Sequence, residues 1–269
     1  MGGERLSSII SVLAGGSFLV LSLYIYSALV RQIGTRTAEG VVATKRKFGM
    51  PEAAVALALA ALFALNSLSA GAPEMARLRT KDLVANGVFA LGLVIGIAIF
   101  LKLRRFNIPQ LAGFQRLTFQ RAFATGFILL IVAYPLIILA DWMTARILGS
   151  GSTRQGIIEL FAGSRSFEQR VLVIILAVMI APMVEEFVFR FFLYGVLRRY
   201  AGRTLGLIIS ALLFAAVHAH LPSFGPLFVL GSCFTIAYEW SGSLLVPMTL
   251  HALFNALTLT ALAFPQFQQ

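Results

Sequence analysis

The sequence predicts an all-α, polytopic membrane protein, a helical bundle with about eight transmembrane helices. Hydrophobic residues make up 59% of the chain and charged residues only 12%, which is far from the balance of a soluble globular domain. Apolar runs of about 20 residues, the length that a helix needs to cross the hydrocarbon core, recur along the chain between charged or Gly- and Pro-containing borders. No repeat of fixed period and no heptad array is present, so we expect one bundle.

Three apolar spans occupy the first hundred residues. The first, at residues 8–30, is too long for the apolar region of a signal peptide and lacks a small-residue cleavage site, so we expect a retained helix. The second, at residues 53–70, follows Pro51 and Glu52, which suit a first helical turn. The third covers residues 83–101.

A basic connector separates the third span from the fourth, which we place at residues 122–140. Pro109 and Gly113 interrupt the connector. Its cations are Lys102, Arg104, Arg105, Arg116 and Arg121. This composition predicts a segment that lies in the membrane interface.

A polar stretch at residues 149–166 divides the chain. We assign residues 1–165 to N-terminal membrane helices with their connectors and residues 166–269 to a C-terminal helical core, within one integral membrane domain. The remaining spans are predicted at residues 171–197, 205–218, 224–238 and 244–263.

The formal net charge of +11 comes from Lys and Arg residues in the connectors. No nucleic-acid module is visible, so we expect membrane lipids and not nucleic acid as partners. In an eight-span arrangement three basic clusters share one side, and the positive-inside rule puts them in the cytoplasm, with both termini outside and the cell membrane as the location. The clusters are Arg31, Arg36 and residues 45–47; Lys102, Arg104 and Arg105; and Arg198, Arg199 and Arg203.

Three ionisable residues, Glu185, Glu186 and Arg190, lie within one apolar span. A charge at the bilayer centre costs about 2.5–3.5 kcal/mol, so three of them indicate pairing, a watered cavity, or both. Glu186 and Arg190 have the i, i+4 spacing of one helix face, whereas Glu185 lies about 100° around the helix. We therefore expect Arg190 to neutralise Glu186 and to leave Glu185 free for acid–base chemistry.

All the histidines follow this glutamate pair. His218 comes four residues after Phe214, His220 is nearby, and His251 precedes Asn255 by four residues. The second spacing puts His251 and Asn255 on one helix face.

The patterns E-E-x-x-x-R, F-x-x-x-H and H-x-x-x-N, in this order on three late helices, resemble the signature of the CPBP or Abi family, which contains the type 2 CAAX prenyl proteases and bacteriocin-processing proteins. The resemblance covers residues 171–263. Pro182 before the glutamate pair agrees with it, whereas Phe191 replaces a glycine that is common in the family. A passage before His251 agrees as well, namely Gly231, Glu239, Gly242, Ser243, Leu244, Leu245 and Pro247.

The resemblance implies that Glu185 is the general base that activates water and that His218 helps to hold this water. Glu186 and Arg190 would form a supporting ion pair. The C-terminal core at residues 166–269 would then be the catalytic one.

The resemblance also implies that His251 and Asn255 stabilise the oxyanion. The expected activity is that of an intramembrane endopeptidase that cuts near the C-terminus of a prenylated CAAX-type protein or a similar peptide. The aromatic residues after the glutamate pair could line a lipid-accepting cavity, face lipid, or pack in the core. These residues are Phe187, Phe189, Phe191, Phe192 and Tyr194.

Several alternatives stay open from the sequence. We favour no metal and no cofactor, but Glu185, His218 and His251 could together hold zinc with an open position for water, even though the chain has no H-E-x-x-H pair. A transporter with a Glu/His proton relay, and a non-catalytic membrane scaffold or immunity protein, are the other classes. The complete set of polar residues favours the enzyme.

Overall fold

The computed structural model of the protein describes residues 2–35, 48–69, 80–149, 161, 163–164 and 166–264. This part of the chain consists of helices and their connecting turns and contains no strand, so the all-α prediction is confirmed. The basic residues predicted at Arg36 and 45–47, and most of the polar stretch at 149–166, lie outside the described residues.

The described residues of the first half form four long helices and one short one. They are α1 (Gly2–Thr35), α2 (Met50–Ser69), α3 (Thr80–Leu103), α4 (Ile108–Ala112) and α5 (Phe119–Leu148). The first four predicted spans fall on α1, α2, α3 and α5. The basic connector contains α4, which Asn107 caps by accepting a hydrogen bond from the Gln110 N–H at 3.2 Å. Gly113 ends α4 in the left-handed conformation, with φ 73°.

The described residues from 166 to 264 form a long helical segment, a 3₁₀ turn and two further helices. In chain order its elements are α6 (Phe167–Ile174), a π-helix (Ile175–Ile180), α7 (Ala181–Glu186), a second π-helix (Phe187–Leu193), α8 (Tyr194–Val217), the 3₁₀ turn (Leu221–Ser223), α9 (Phe224–Ser241) and α10 (Leu245–Ala263).

The predicted fifth and sixth spans lie within Phe167–Val217, where the helical backbone is interrupted at Gly202. Residues beyond Gly202 pack back against those before it, since Ser210 Oγ donates to the Phe189 carbonyl at 3.2 Å. Gly202 has φ 81° and ψ 177°, a conformation outside the helical region that glycine adopts at little cost. Among the described residues, seven helical segments are long and apolar enough to cross a membrane, and this one contains two of the predicted spans. The protein is an integral, multi-pass membrane protein.

The aromatic residues that follow the glutamate pair pack inside the bundle. Phe187 is 7% exposed, and Phe189, Phe191, Phe192 and Tyr194 are at most 3% exposed. The same apolar core includes residues from both halves of the chain. Of the three possibilities for these rings, the structure therefore shows core packing.

Several connectors meet at one end of the bundle. Hydrogen bonds hold them together, from Arg104 Nε to Glu52 Oε1 at 2.9 Å, from Leu244 N to Ala112 O at 2.8 Å and from Trp240 Nε1 to Gln32 Oε1 at 2.8 Å. Gly113 and Gly242 pack so closely there that a Cβ on Gly113 would overlap the Gly242 carbonyl. The described parts of the predicted basic connectors therefore share one end.

Candidate active site

The glutamate pair lies at the end of α7, a short α-helix between two π-helical segments. In the first segment the Ala181 N–H bonds the Leu176 carbonyl, and in the second the Tyr194 N–H bonds the Phe189 carbonyl. Both are i to i−5 bonds, which widen the turn and change the direction in which neighbouring side chains project. Such π-bulges occur frequently at functional sites.

Pro182 explains where Asn255 binds. In the i to i−5 register the partner of the Ala177 carbonyl would be the N–H of residue 182, but proline has none. The side-chain amide of Asn255 donates to this carbonyl instead, with Nδ2 at 2.8 Å from Ala177 O. Asn255 thus ties α10 to the π-helix that precedes the glutamates, and its amide keeps one further N–H.

Glu186 and Arg190 form a fully buried ion pair. Both side chains are 0% exposed, and Arg190 Nη1 lies 3.0 Å from Glu186 Oε1. Arg190 Nη2 also donates to the Gly231 carbonyl on α9 at 3.2 Å. The buried guanidinium therefore donates to a charged acceptor, the Glu186 carboxylate, and to a neutral one, the Gly231 carbonyl. Its planar set of N–H groups allows both hydrogen bonds at once.

Aromatic rings surround the Arg190 guanidinium. Its Cζ lies 4.2 Å from the ring centre of Phe214 and 4.9 Å from that of Phe234. These contacts replace water by the negative faces of two rings, a favourable exchange for a desolvated cation. A Cβ on Gly231 would lie 3.3 Å from Arg190 Nη2 and 3.1 Å from the Phe214 ring, so the glycine leaves the room that this approach needs.

His251 reaches both glutamates from α10. Its Nδ1 lies 3.1 Å from Glu186 Oε1, and its Nε2 lies 3.9 Å from Glu185 Oε2. The ring stacks on Phe234 with a centroid distance of 4.7 Å, and His251 as a whole is 3% exposed. Because a carboxylate accepts hydrogen bonds, Nδ1 carries the hydrogen and donates a hydrogen bond to Glu186.

Glu185 differs from its neighbour in exposure and in partners. Its side chain is 27% exposed, against 0% for Glu186. The Glu185 Oε2 atom is itself buried and makes no hydrogen bond within the described part of the protein. A carboxylate without a hydrogen-bond donor, next to an imidazole nitrogen, has the capacity to accept a proton from water.

His218 ends α8 and is fixed by its own helix. Its Nδ1 lies 2.7 Å from the Phe214 carbonyl, which can only accept, so Nδ1–H is the donor and a neutral ring offers Nε2 as an acceptor. Ala219 follows with φ 47°, an unusual value for a residue other than glycine. The Phe214 ring lies edge-on to His218 at 4.9 Å and to His251 at 5.9 Å, so both imidazoles contact one ring.

The predicted residues are thus placed in three ways. Glu185, Glu186, Arg190 and His251 form one cluster of charged and imidazole groups. His218 lies on the Phe214 ring that this cluster also contacts. The Asn255 side chain donates a hydrogen bond to the backbone of the π-helix, at the Ala177 carbonyl.

The residues of the zinc alternative are not arranged around a common point. Among the described residues no group of three His, Cys, Asp or Glu side chains is placed to hold a metal ion. As placed, Glu185, His218 and His251 do not form a zinc site.

Residues 167–257 match the family described as Type II CAAX prenyl endopeptidase Rce1-like. The resemblance predicted from the three patterns is confirmed. All six predicted site residues fall within this Rce1-like segment.

Two curated relatives are similar to the chain. The "Uncharacterized 24.3 kDa protein" of Escherichia coli is 30% identical over 155 residues, which are 56% of this chain and 62% of that protein. The membrane-embedded CAAX protease MroQ of Staphylococcus aureus (strain USA300) is 33% identical over 82 residues, 28% of this chain and 33% of that protein. The matched regions thus span less than two thirds of the length of either relative. No solved structure matches the chain.

Two residues of the Rce1-like segment, Phe234 and Ala177, contact site residues in a way that was not predicted. The Phe234 ring packs on both Arg190 and His251, and the Ala177 carbonyl holds Asn255. A signal existed for the second, because Pro182 removes a backbone donor and leaves a carbonyl that a buried helix must satisfy in another way.

Proposed function

We propose that the chain is an intramembrane peptidase of the CAAX-protease type in which Glu185 activates a water molecule for peptide hydrolysis. The difference between the adjacent glutamates carries the proposal. Glu186 is fully buried, and its Oε1 contacts Arg190 Nη1 at 3.0 Å and His251 Nδ1 at 3.1 Å, whereas the Glu185 side chain is 27% exposed and its Oε2 lies 3.9 Å from His251 Nε2. The proton-accepting carboxylate is therefore Glu185.

In the proposed reaction Glu185 takes one proton from water while the water oxygen attacks the carbonyl carbon of the scissile bond. The carbonyl becomes a tetrahedral oxyanion. Its collapse breaks the carbon–nitrogen bond, and Glu185 returns the proton to the leaving amine. The products are a new carboxyl terminus and a released peptide, and Glu185 ends the cycle ionised.

His251 is suited to stabilise the oxyanion. Its Nδ1–H is held by Glu186, so a second proton on Nε2 would point towards Glu185 and the attacked carbonyl. With that proton the cluster contains two carboxylates and two cations, Arg190 and the imidazolium, and is neutral overall. Neutrality matters because an uncompensated charge is costly in a buried site.

His218 and Asn255 complete the arrangement. The His218 Nε2 is available to accept the second hydrogen of the water, because Nδ1 is used on the Phe214 carbonyl. Asn255 has one amide N–H beyond the bond to Ala177, which could reach an oxyanion.

For the substrate we propose the C-terminus of a prenylated CAAX-type protein. The match to the Rce1-like family and the similarity to the CAAX protease MroQ support this class. The position of the site also supports it. Arg190 precedes Arg198, at the basic end of the bundle, by eight residues, which is about 12 Å along a helix. A cysteine that carries a lipid would reach a site below the membrane surface more readily than a soluble peptide would.

The test is cleavage of a farnesylated Cys-a-a-X peptide by the purified protein in detergent, with the products identified by mass spectrometry. The same peptide without the lipid, and the farnesylated peptide with a zinc chelator, are run in parallel. We expect release of the last three residues from the farnesylated peptide, with or without chelator. Equal cleavage without the lipid would contradict the prenylated substrate, and loss with the chelator would contradict the metal-free reaction. No cleavage of either peptide would contradict the proposed substrate class.

A further inference from the structure

A second buried ion-pair cluster lies outside the candidate active site, around Glu239 on α9. Arg198 pairs with Glu239 Oε1, and Arg203 Nε lies 3.5 Å from Glu239 Oε2. The side chains of Arg198 and Glu239 are 8% and 2% exposed. Arg198 also donates to the Tyr194 hydroxyl at 3.4 Å. The proposed hydrolysis uses none of these groups.

The cluster joins the helical residues before Gly202 to those after it. Arg198 and Arg203 stand on either side of Gly202, where the helical backbone is interrupted. These two parts approach closely beyond Gly202, because a Cβ on Gly206 would lie 3.0 Å from the Arg198 nitrogen. Glu239 thus pairs through one carboxylate with an arginine on each side of Gly202.

The same cluster fixes how the glutamate-bearing helix lies against α9. Arg190 bonds the carbonyl of Gly231, and Arg198 bonds Glu239, and in both pairs the partners are 41 residues apart. Because the separation is equal, residues 190–198 and residues 231–239 run in the same direction and keep the same alignment between the two contacts. The two contacts lie eight residues apart, about 12 Å along each helix.

This register determines the surroundings of the catalytic groups. The Phe234 ring of α9 contacts both Arg190 and His251, and the Gly231 carbonyl takes an Arg190 donor. A slide by one residue moves one helix by about 1.5 Å past the other, enough to break a hydrogen bond. The Arg190 position in turn fixes Glu186, which holds His251.

We propose that Glu239 is a positioning residue for the active site, acting through Arg198 and Arg203 on the register of α9. It touches no reacting atom. The kinetic part of the proposal rests on the proposed peptidase function.

The test compares Glu239→Gln with a matched control, Glu52→Gln. Glu52 is also a buried carboxylate, 0% exposed and paired with Arg104 at the same end of the bundle, but it lies on α2. We expect both variants to lose thermal stability. Only Glu239→Gln should lower kcat, by about tenfold or more per folded molecule. KM should stay within about twofold. The reason is that a displacement of the catalytic groups by about 1 Å greatly lowers the rate.

Hydrogen–deuterium exchange gives a readout that does not need activity. Backbone amides at residues 187–193 should exchange faster in Glu239→Gln and stay unchanged in Glu52→Gln. If Glu239→Gln does not fold, Arg203→Gln, which removes the half-exposed partner, should show the same pattern more weakly. Equal kcat effects in both glutamate variants, or unchanged exchange in the folded Glu239 or Arg203 variant, would overturn the proposal. If the wild type were inactive, the peptidase proposal would fail. The exchange data alone would then decide whether Glu239 sets the register of α9.

Discussion

Glu185 and Glu186 are adjacent in the sequence but have opposite surroundings in the site. Glu186 is fully buried and paired with Arg190 and His251, whereas the Glu185 side chain is partly exposed and contacts His251 alone of these two. Arg190 neutralises Glu186, and in the proposed mechanism Glu185 is the reactive carboxylate.

Arg190→Met should therefore destabilise the protein strongly, because it leaves the Glu186 carboxylate buried without its cation. Breaking a buried pair costs about 3–5 kcal/mol, which corresponds to a fall in Tm of about 10 °C for a chain of this size. Thermal unfolding in detergent measures the change. Glu186→Gln in the Arg190→Met background should restore part of the loss.

The control for this change is Arg199→Met, on the same helix but exposed, which should shift Tm by no more than about 2 °C. An Arg190→Met variant as stable as the control would contradict the assignment of a buried ion pair.

The π-helix before the glutamates is the element on which the site is built. Pro182 removes an N–H from it, and Asn255 of α10 supplies the missing donor to the Ala177 carbonyl. The link joins α10, which also holds His251, to the π-helix that leads directly into the glutamates of α7.

A double-mutant cycle tests this link. Asn255→Ala should lower Tm because the Ala177 carbonyl loses its donor, at a cost of about 1–3 kcal/mol. Pro182→Ala restores an N–H in register with the same carbonyl. We expect Asn255→Ala to lower the free energy of unfolding clearly less in the Pro182→Ala background. The coupling free energy between the two changes should be about 0.5–3 kcal/mol.

Additive effects of the two changes would contradict the account of the π-helix. The kcat of Asn255→Ala, measured on folded protein, would separately report the oxyanion role. That role stays a prediction until it is measured.

The local part of the site was predictable and the tertiary part was not. The i, i+4 spacing of Glu186 and Arg190 places both side chains on one helix face, so the sequence alone indicates the ion pair. His251 joins Glu186 across 65 residues, a contact that depends on how α10 packs. The bond from Asn255 to Ala177 depends on a change from α to π register, which periodicity does not reveal.

The same distinction holds for the fold. Apolar spans were predictable because each needs about 20 residues to cross the membrane. The predicted fifth and sixth spans are separated at Gly202, where the helical backbone is interrupted and the chain turns back.

At the scale of the whole molecule, the described parts of the basic connectors gather at one end of the bundle, where Glu52 and Glu239 each pair with arginine. The buried core is shared between the two halves of the chain, from Tyr26 on α1 to Leu250 on α10. The packing of the Rce1-like segment therefore involves helices that lie outside it.

The membrane orientation predicts which end reagents can reach. Gln110 on α4 lies at the basic end, and Glu168 lies in the first turn of α6, away from that end; both are exposed, whereas the native Cys233 is buried. A membrane-impermeant maleimide should label Glu168→Cys in intact cells and Gln110→Cys only after permeabilisation. The reverse pattern would contradict the cytoplasmic placement of the basic connectors.

The most direct test of the central claim is the kcat/KM of Glu185→Gln on the farnesylated reporter peptide, beside the exposed control Glu168→Gln on the same helical segment. A general base that also returns the proton should be worth at least about 10²–10⁴ in rate. We predict a loss of that size for Glu185→Gln with unchanged thermal stability, and wild-type rates for the control. A Glu185→Gln enzyme within about threefold of the wild type would contradict the role of Glu185 as the base.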